Sequence, residues 1–153
     1  MSDAKISVKP GQIKSIVRRL NRFGKNISSR NVLNVIALGI KNRILVRTHS
    51  GLDKNFKRFY PYNAAYAEKE GKTLVNLTQR GHMLNSMTQK VLNNNVAKIF
   101  FSTKQQREKA LWHVTGAGNL PVRDFFGVNR KDEKFALKAY QKNLSKVKRS
   151  LKL

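Results

Sequence analysis

Apolar residues recur at three- and four-residue spacing near the start of the chain, which predicts a helix after Pro10 and Gly11. Arg18 and Arg22 fall on its polar face, and Gly24 ends the pattern. The apolar face consists of Ile13, Ile16, Val17 and Leu20. The pattern therefore predicts an amphipathic helix within the first 28 residues.

A second helix is predicted from Ser28 or Ser29, either of which can cap its first turn, to about Thr48. At 100° per residue its apolar side chains surround the axis: Val32, Leu33, Val35, Ile36, Ala37, Leu38, Ile40, Ile44, Leu45 and Val46. A helix that is apolar all round is normally covered on every side. We therefore predict a central helix, and in so short a chain part of its cover can come from another subunit.

Residues 49–72 show no strong periodicity and predict a long loop that contains Gly51, Pro61 and Gly71. The loop is rich in aromatic residues: Phe56, Phe59, Tyr60, Tyr62 and Tyr66. Loops of this length are often functional or ordered by a partner. Four of the rings are therefore our candidate subunit contacts, namely Phe56, Phe59, Tyr60 and Tyr62.

Further along, residues 78–87 predict a short helix with Leu84 facing inward. Two strand-like runs, 87–92 and 96–102, flank three consecutive asparagines at positions 93–95. Because asparagine tolerates positive φ, this pattern predicts a β-hairpin.

Thr103 can cap a helix from Lys104 to about Val114, with Gln106 at the capping-box position. A glycine-rich stretch that begins at Gly116 then breaks the helix.

The last predicted helix runs from about Asp132 to Leu151. One side carries an apolar stripe of Leu137, Tyr140, Leu144, Val147 and Leu151. The roughly opposite side carries the lysine row, which consists of Lys134, Lys138, Lys142 and Lys146. Phe135 lies on the lysine side, which is unusual for a monomer, and we add it to the candidate subunit contacts.

These elements together predict an α+β fold, with three to four helices packed on a small antiparallel β-sheet. We expect a single domain over residues 1–153. Within it, residues 1–28 form a helix and arm, residues 49–72 the long aromatic loop, and residues 130–153 a basic helix.

The chain of 153 residues has 32 Lys and Arg against 8 Asp and Glu, a formal net charge of +24. The basic residues are spread from Lys5 to Lys152, so we expect a basic folded surface that attracts polyanions. Because lysine suits phosphate but not bidentate base recognition, contact with nucleic acid should be non-specific. The candidate polyanion-facing residues are Arg18, Arg22, Lys134, Lys138, Lys142 and Lys146.

The sequence offers little for catalysis. Adjacent Asp132 and Glu133 are the nearest approach to a carboxylate cluster, and Asp132 is better placed to stabilise the first turn of a helix. His49, His82 and His113 lack metal-ligand spacing, and phosphate-loop and nucleophile-elbow motifs are absent. We therefore expect no enzymatic activity, no metal and no cofactor.

Other compositional features exclude further classes. Cysteine is absent, which excludes disulfides and thiolate zinc sites. The first eleven residues lack the apolar core of a secretory signal. Residues 32–46, the longest apolar-rich stretch, are too short to cross a bilayer, so we expect no membrane partner.

Three segments carry a family resemblance. Residues 59–67 read FYPYNAAYA, residues 75–87 read VNLTQRGHMLNSM, and residues 120–127 read LPVRDFFG. In this order they resemble elements of the virion-morphogenesis, or tail-completion, family of tailed bacteriophages, whose last element is a P-x-R-x-F-hydrophobic-G turn. The likeness covers about residues 30–150, with Asn76 replacing a frequent Asp and Asp124 a frequent Pro.

The resemblance implies a structural protein that forms a ring, commonly six-fold, at the head–tail junction or the head-proximal end of the tail. Such a ring joins or completes the tail around the DNA path. The implied partners are further copies of the chain, neighbouring neck, tail or connector ring proteins, and packaged DNA touched non-specifically. The implied location is the virion, and the host cytoplasm during assembly. The motif residues are Pro121, Arg123, Phe125, Phe126 and Gly127.

The chemistry of these residues favours a turn that closes the core, with direct partner contact as the alternative. Pro121 fixes φ, Phe125 and Phe126 bury large areas, and Gly127 permits a sharp turn. Arg123 can extend to the surface, pair with an acid or contact a neighbour.

Two other functions stay open. The charge and the small mixed fold also suit a basic RNA-binding protein of ribosomal type. Its affinity for RNA would fall steeply as the salt concentration rises. A nuclease or recombination accessory is the third hypothesis, and the lack of clustered carboxylates argues against it.

Overall fold

The computed structural model describes residues 29–150. The predicted N-terminal helix, with Arg18 and Arg22, lies outside the described residues. Of the predicted C-terminal stripe, Leu151 also lies outside them, and the side chain of Val147 is not among those described.

The described residues form helices and one two-stranded antiparallel sheet, so the predicted α+β class is confirmed. The elements are α1 Ser29–His49, α2 Ala64–Glu70, α3 His82–Asn85, β1 Met87–Asn93, β2 Val96–Phe101, α4 Lys104–Thr115, a 3₁₀ turn Ala117–Asn119, and α5 Arg130–Ser150. Within residues 29–150 there are thus five α-helices, more than the three to four predicted.

The backbone divides into two compact units. In the described part of the chain, the first unit comprises residues 29–42, 88–100 and 128–150, and the second comprises residues 43–87 and 101–127. The single-domain organisation stays a prediction.

Helix α1 has the predicted extent but is not covered all round. Its buried side chains include Val32, Leu33, Ile36, Ala37, Ile40 and Ile44. Val35, Leu38 and Val46 fall outside that arc and are 50%, 39% and 66% exposed. Within residues 29–150 only one arc of the helix is packed, so the described residues do not supply the predicted cover on every side. Cover from another subunit stays a prediction.

The start of α5 is fixed by reciprocal hydrogen bonds. The Oδ1 atom of Asn129 accepts from the N–H groups of Lys131 at 2.9 Å and Asp132 at 3.0 Å. Oδ2 of Asp132 in turn accepts from the N–H of Asn129 at 3.2 Å. Asp132 is completely buried, so its carboxylate belongs to the helix start, where a negative charge is favourable.

The buried side of α5 differs from the predicted apolar stripe. Ala136 is completely buried, whereas Leu137 is 46% exposed. Tyr140 and Leu144 of the predicted stripe are partly buried. The buried side of α5 thus includes Ala136 in place of Leu137, and periodicity alone does not reveal this difference. The lysine row is exposed along its whole length, and none of its side chains forms an ion pair with a carboxylate within residues 29–150.

Phe135 packs inside the first unit. Its ring lies against Gly39 of α1, where an added Cβ would come within 2.4 Å of two ring atoms. Phe135 is half-buried, so an apolar ring among lysines has an intramolecular explanation. Its role as a subunit contact stays a prediction.

The hairpin forms at the predicted place for a different reason. The two residues between β1 and β2 are Asn94 and Asn95, and neither has positive φ. The Asn93 side chain instead accepts a hydrogen bond from the N–H of Asn95 at 2.9 Å. The turn is thus stabilised by a side-chain acceptor that mimics the backbone.

The predicted loop over residues 49–72 contains a helix. Asn63 caps α2 by accepting from the N–H of Tyr66 at 2.8 Å, and Gly71 ends it in the left-handed region. Before α2, an isolated antiparallel bridge between Leu52 and Arg58 closes the turn formed by residues 53–57. The prediction of a plain loop is therefore wrong for this stretch, because α2 buries no residue and so has no apolar stripe to signal it.

The remaining helices test two local signals. The predicted helix over residues 78–87 shortens to α3, because Gly81 adopts φ 72° immediately before it. Helix α4 is confirmed, with Thr103 Oγ1 accepting from the N–H of Gln106 at 3.3 Å. The reciprocal half of the capping box is absent here, since Oε1 of Gln106 has no hydrogen-bond partner among the described residues.

We predict that Gly39→Ala destabilises the protein because the new methyl group displaces the Phe135 ring. Alanine is favoured over glycine in a helix by about 1 kcal/mol, but overpacking costs about 1–3 kcal/mol. In a Phe135→Ala background the sign should reverse. Chemical denaturation of the four proteins in this double-mutant cycle gives the coupling, and additive effects would contradict the packing.

Candidate functional site

The second unit is built around an aromatic cluster. The ring centroids of Phe101 and Phe126 are 5.2 Å apart, and Phe125 lies 6.3 Å from Phe101 and 6.2 Å from Phe126. All three rings are buried, Phe125 completely. Their tilted and edge-on arrangements are those that aromatic pairs prefer. Phe125 and Phe126 thus pack as a turn that closes the core of this unit.

Gly127 serves close packing and not a left-handed turn. Its φ is not positive, and the backbone bends at Phe126 and Gly127, so the predicted sharp turn is present without a left-handed conformation. Its carbonyl accepts a hydrogen bond from the buried guanidinium of Arg47. A Cβ here would lie 3.0 Å from Cδ of Lys54, whose ammonium pairs with Asp124 at 2.5 Å.

The same segment holds Arg123 in place. Its backbone N–H donates to the carbonyl of His113 at 2.7 Å, and its carbonyl accepts from the N–H of Phe125 at 2.8 Å. The guanidinium carbon lies 5.3 Å from the ring centroid of Tyr62. Within the described residues Arg123 forms no ion pair with a carboxylate, which was one of its predicted roles. It makes a cation–π contact with Tyr62 instead.

A cavity of about 780 Å³ opens beside Arg123 and lies entirely in the second unit. Its lining comes from the segments around α2, α3 and α4 and from residues 119–123. The charged and aromatic side chains of the lining include Tyr60, Tyr62, Arg80, Lys109, Trp112, His113 and Arg123. This cavity is our candidate site because it gathers such groups from distant parts of the sequence.

The lining is cationic. Arg80 and Lys109 are exposed, whereas Arg123 is only 4% exposed. The Nε atom of Arg123 is buried and has no hydrogen-bond partner in the described part of the chain. Burial lowers the pKa of Arg123, and Tyr62 and Tyr66 oppose that effect. None of the described residues that line the cavity is Asp or Glu, and the negative charge of Glu70 acts on Tyr62 from outside the lining.

The lining is also aromatic. Tyr60 is 68% exposed and Trp112 is 50% exposed, so both present ring surface to solvent. Tyr62 packs on Tyr66 with ring centroids 4.8 Å apart. Burial, together with the nearby Tyr66, raises the pKa of Tyr62. Its hydroxyl therefore stays protonated and able to donate a hydrogen bond.

His113 is held neutral. Its pKa is lowered to about 4, chiefly by burial and then by the positive charges of Arg123 and Lys109. Its Nδ1 atom is buried without a hydrogen-bond partner from residues 29–150. At pH 7 the ring is thus a neutral hydrogen-bonding group and not a third charge.

The candidate subunit contacts differ in burial and in the unit to which they belong. Phe59 is buried, so its ring needs no neighbour to order it, and that prediction is corrected. Tyr60 and Tyr62 line the cavity. Phe56 is partly exposed, with φ 64°, and Phe135 belongs to the first unit.

Several residues of the cavity are not identifiable from the sequence as site residues. Arg80 lies in a family-like segment that suggests no role for its charge, and His113 beside Trp112 suggests packing. The available signal was the resemblance itself, since all three family-like segments contribute to the lining.

The described residues contain no group of three or more His, Cys, Asp or Glu placed to hold a metal. No helix within residues 29–150 is long and apolar enough to cross a membrane. The chain matches no protein-family model, and neither the curated proteins nor the solved structures contain a significant match.

We predict that His113 makes stability depend on pH. Because its pKa is about 4 when folded and about 6.5 when unfolded, the unfolded state binds more protons between these values. The free energy of unfolding should therefore fall as the pH is lowered from about 6.5 to 4. Chemical denaturation across this range should show a shallower fall for His113→Gln. Titration of the folded-state imidazole near pH 6.5 by NMR would contradict the burial.

Proposed function

We propose that the chain is a non-enzymatic structural subunit of a tailed-phage virion. In this proposal it assembles into a ring at the head–tail junction or the head-proximal end of the tail. There it completes the tail around the DNA path. The protein would reside in the virion, and in the host cytoplasm during assembly.

The observation that carries the proposal is the convergence of the three family-like segments. The first supplies buried Phe59 and the cavity residue Tyr62. The second supplies Leu77 and Met83, which are buried and line the same cavity. The third supplies Arg123 at the cavity and its aromatic pair to the core. Segments that resemble one family in order thus also belong to one compact unit.

The surface of the first unit supports assembly. Val35 and Leu38 of α1 expose apolar area that nothing within residues 29–150 covers fully. Neighbouring copies in a ring provide such cover. The lysine row supplies the charge for docking on acidic neighbours or for contact with DNA phosphates.

The direct test is quantitative mass spectrometry of DNA-filled particles from the source lysate, with the ribosome fraction measured in parallel. The proposal expects a few copies per particle, against hundreds of capsid subunits. Absence from particles with recovery on ribosomes would overturn it in favour of a basic RNA-binding protein.

We predict that Val35→Asp weakens self-association of the purified full-length protein without unfolding it. The side chain is half exposed, so the expected change in stability is within about 0.5 kcal/mol. Asn94→Asp is the control, because Asn94 is exposed in the hairpin turn, away from α1 in the sequence, and receives the same charge. Sedimentation velocity over a concentration series gives the answer, and equal behaviour of both variants would remove this face from the interface.

We predict that replacing the four lysines of the lysine row by glutamine reduces the salt dependence of binding to duplex DNA. The slope of log K against log salt should fall by about 0.9 for each phosphate that the variant no longer neutralises. A control with Lys57, Lys69, Lys90 and Lys104 replaced by glutamine has the same net charge and changes exposed side chains elsewhere. An equal fall in both variants would show that only net charge matters.

A further inference from the structure

Arg123 is a buried cation without a counter-charge at the cavity. Its side chain is almost completely buried, and no carboxylate of the described residues forms an ion pair with it. A buried charge that lacks a charged partner is unfavourable, so an anion that enters the cavity is stabilised there. The guanidinium presents donors in a planar fork that suits phosphate or carboxylate oxygens.

Two further cations stand nearer to solvent. Arg80 and Lys109 are exposed and line the same cavity, and no Asp or Glu is among its described lining residues. Three positive charges around one space favour a group that carries more than one negative charge. A phosphate monoester meets that requirement better than a single carboxylate.

The exposed rings decide between phosphate and acidic peptide. Tyr60 and Trp112 present aromatic surface to the cavity and are at least half exposed. Aromatic rings next to cations are the features on which single nucleotides bind, because every base has a flat face to stack. A run of acidic side chains has no flat aromatic surface that could stack on these rings.

The size of the cavity agrees with a nucleotide. Its volume of about 780 Å³ falls among those of small-molecule sites, which are about 300–1,000 Å³. The bases of an intact duplex are stacked inside the helix and do not reach such a space. An unstacked nucleotide, free or in a single strand, does.

We propose that this cavity binds a nucleoside phosphate, with the base stacked on Tyr60 or Trp112 and the phosphate held by Arg123 and Arg80. The proposal goes beyond the assembly role and does not rest on it. In this proposal the cavity of the second unit binds one unpaired nucleotide. The lysine row, by contrast, would contact the phosphate backbone of a polyanion.

Trp112 provides the readout because it is the chain's single tryptophan. Adenosine 5′-monophosphate added to the full-length protein should quench its fluorescence to saturation. Adenosine and inorganic phosphate should each bind at least about tenfold more weakly, since each supplies one of the two contacts. A single-stranded octadeoxyadenylate with and without a 5′-phosphate distinguishes a strand end from an internal nucleotide. Because the lysine row can also bind a strand, only saturable quenching that Arg80→Gln weakens supports the proposal.

Variants at the exposed positions locate the two contacts. Tyr60→Ala should weaken adenosine monophosphate binding about 5- to 100-fold if Tyr60 carries the base, while Tyr60→Phe keeps the ring and the affinity. Arg80→Gln should weaken binding about tenfold. Arg107→Gln is its matched control, since Arg107 is exposed on α4 and does not line the cavity. Circular dichroism melting verifies that each variant folds.

Three results would overturn the proposal. The first is the absence of saturable quenching by the nucleotide or by either oligonucleotide. The second is equal weakening by Arg80→Gln and Arg107→Gln. The third is that acetyl-tetraglutamate amide binds with the Arg80 dependence while the nucleotide does not, which would assign the cavity to an acidic protein segment. None of these results bears on whether the protein is found in virions.

Discussion

The packing of Phe125 and Phe126 against Phe101 is the interaction on which the candidate site depends. It fixes the backbone of residues 120–127 in the second unit. Arg123 lies between Pro121 and these rings in the sequence, and its guanidinium carbon lies 5.3 Å from the ring centroid of Tyr62. The burial of Phe125 and Phe126 thus offsets the unfavourable burial of the Arg123 charge.

Strong local signals made the main elements predictable. The apolar residues of α1, the Thr103 cap of α4 and the strand-like runs on either side of residues 93–95 are local signals, and each indicated the right element. Helix α2 was missed because it buries no side chain, so only its Asn63 cap and Gly71 end distinguish it from a loop. The packing of Phe135 is not predictable from the periodicity of α5, because its ring contacts Gly39, which lies nearly a hundred positions away in the sequence.

The candidate site was much less accessible to prediction. Pro121, Arg123 and the aromatic pair were selected through the family resemblance, but their division between cavity and core follows from the structure. Nothing in the sequence brings Arg80, Trp112 and Arg123 together, because no periodicity links three different elements. The net charge of +24 indicates that the protein binds polyanions in general. It does not indicate a cavity for a single anion.

The division of the chain into two units has a practical consequence for dissecting it. Each unit is discontinuous in sequence, with residues 88–100 of the first inserted between the two stretches of the second. A fragment that spans residues 43–127 therefore carries part of the first unit, and a truncation from either terminus never isolates one unit whole and alone. A deletion will therefore alter both the lysine row of the first unit and the cavity of the second. Point substitutions are the appropriate way to assign an activity to one of them.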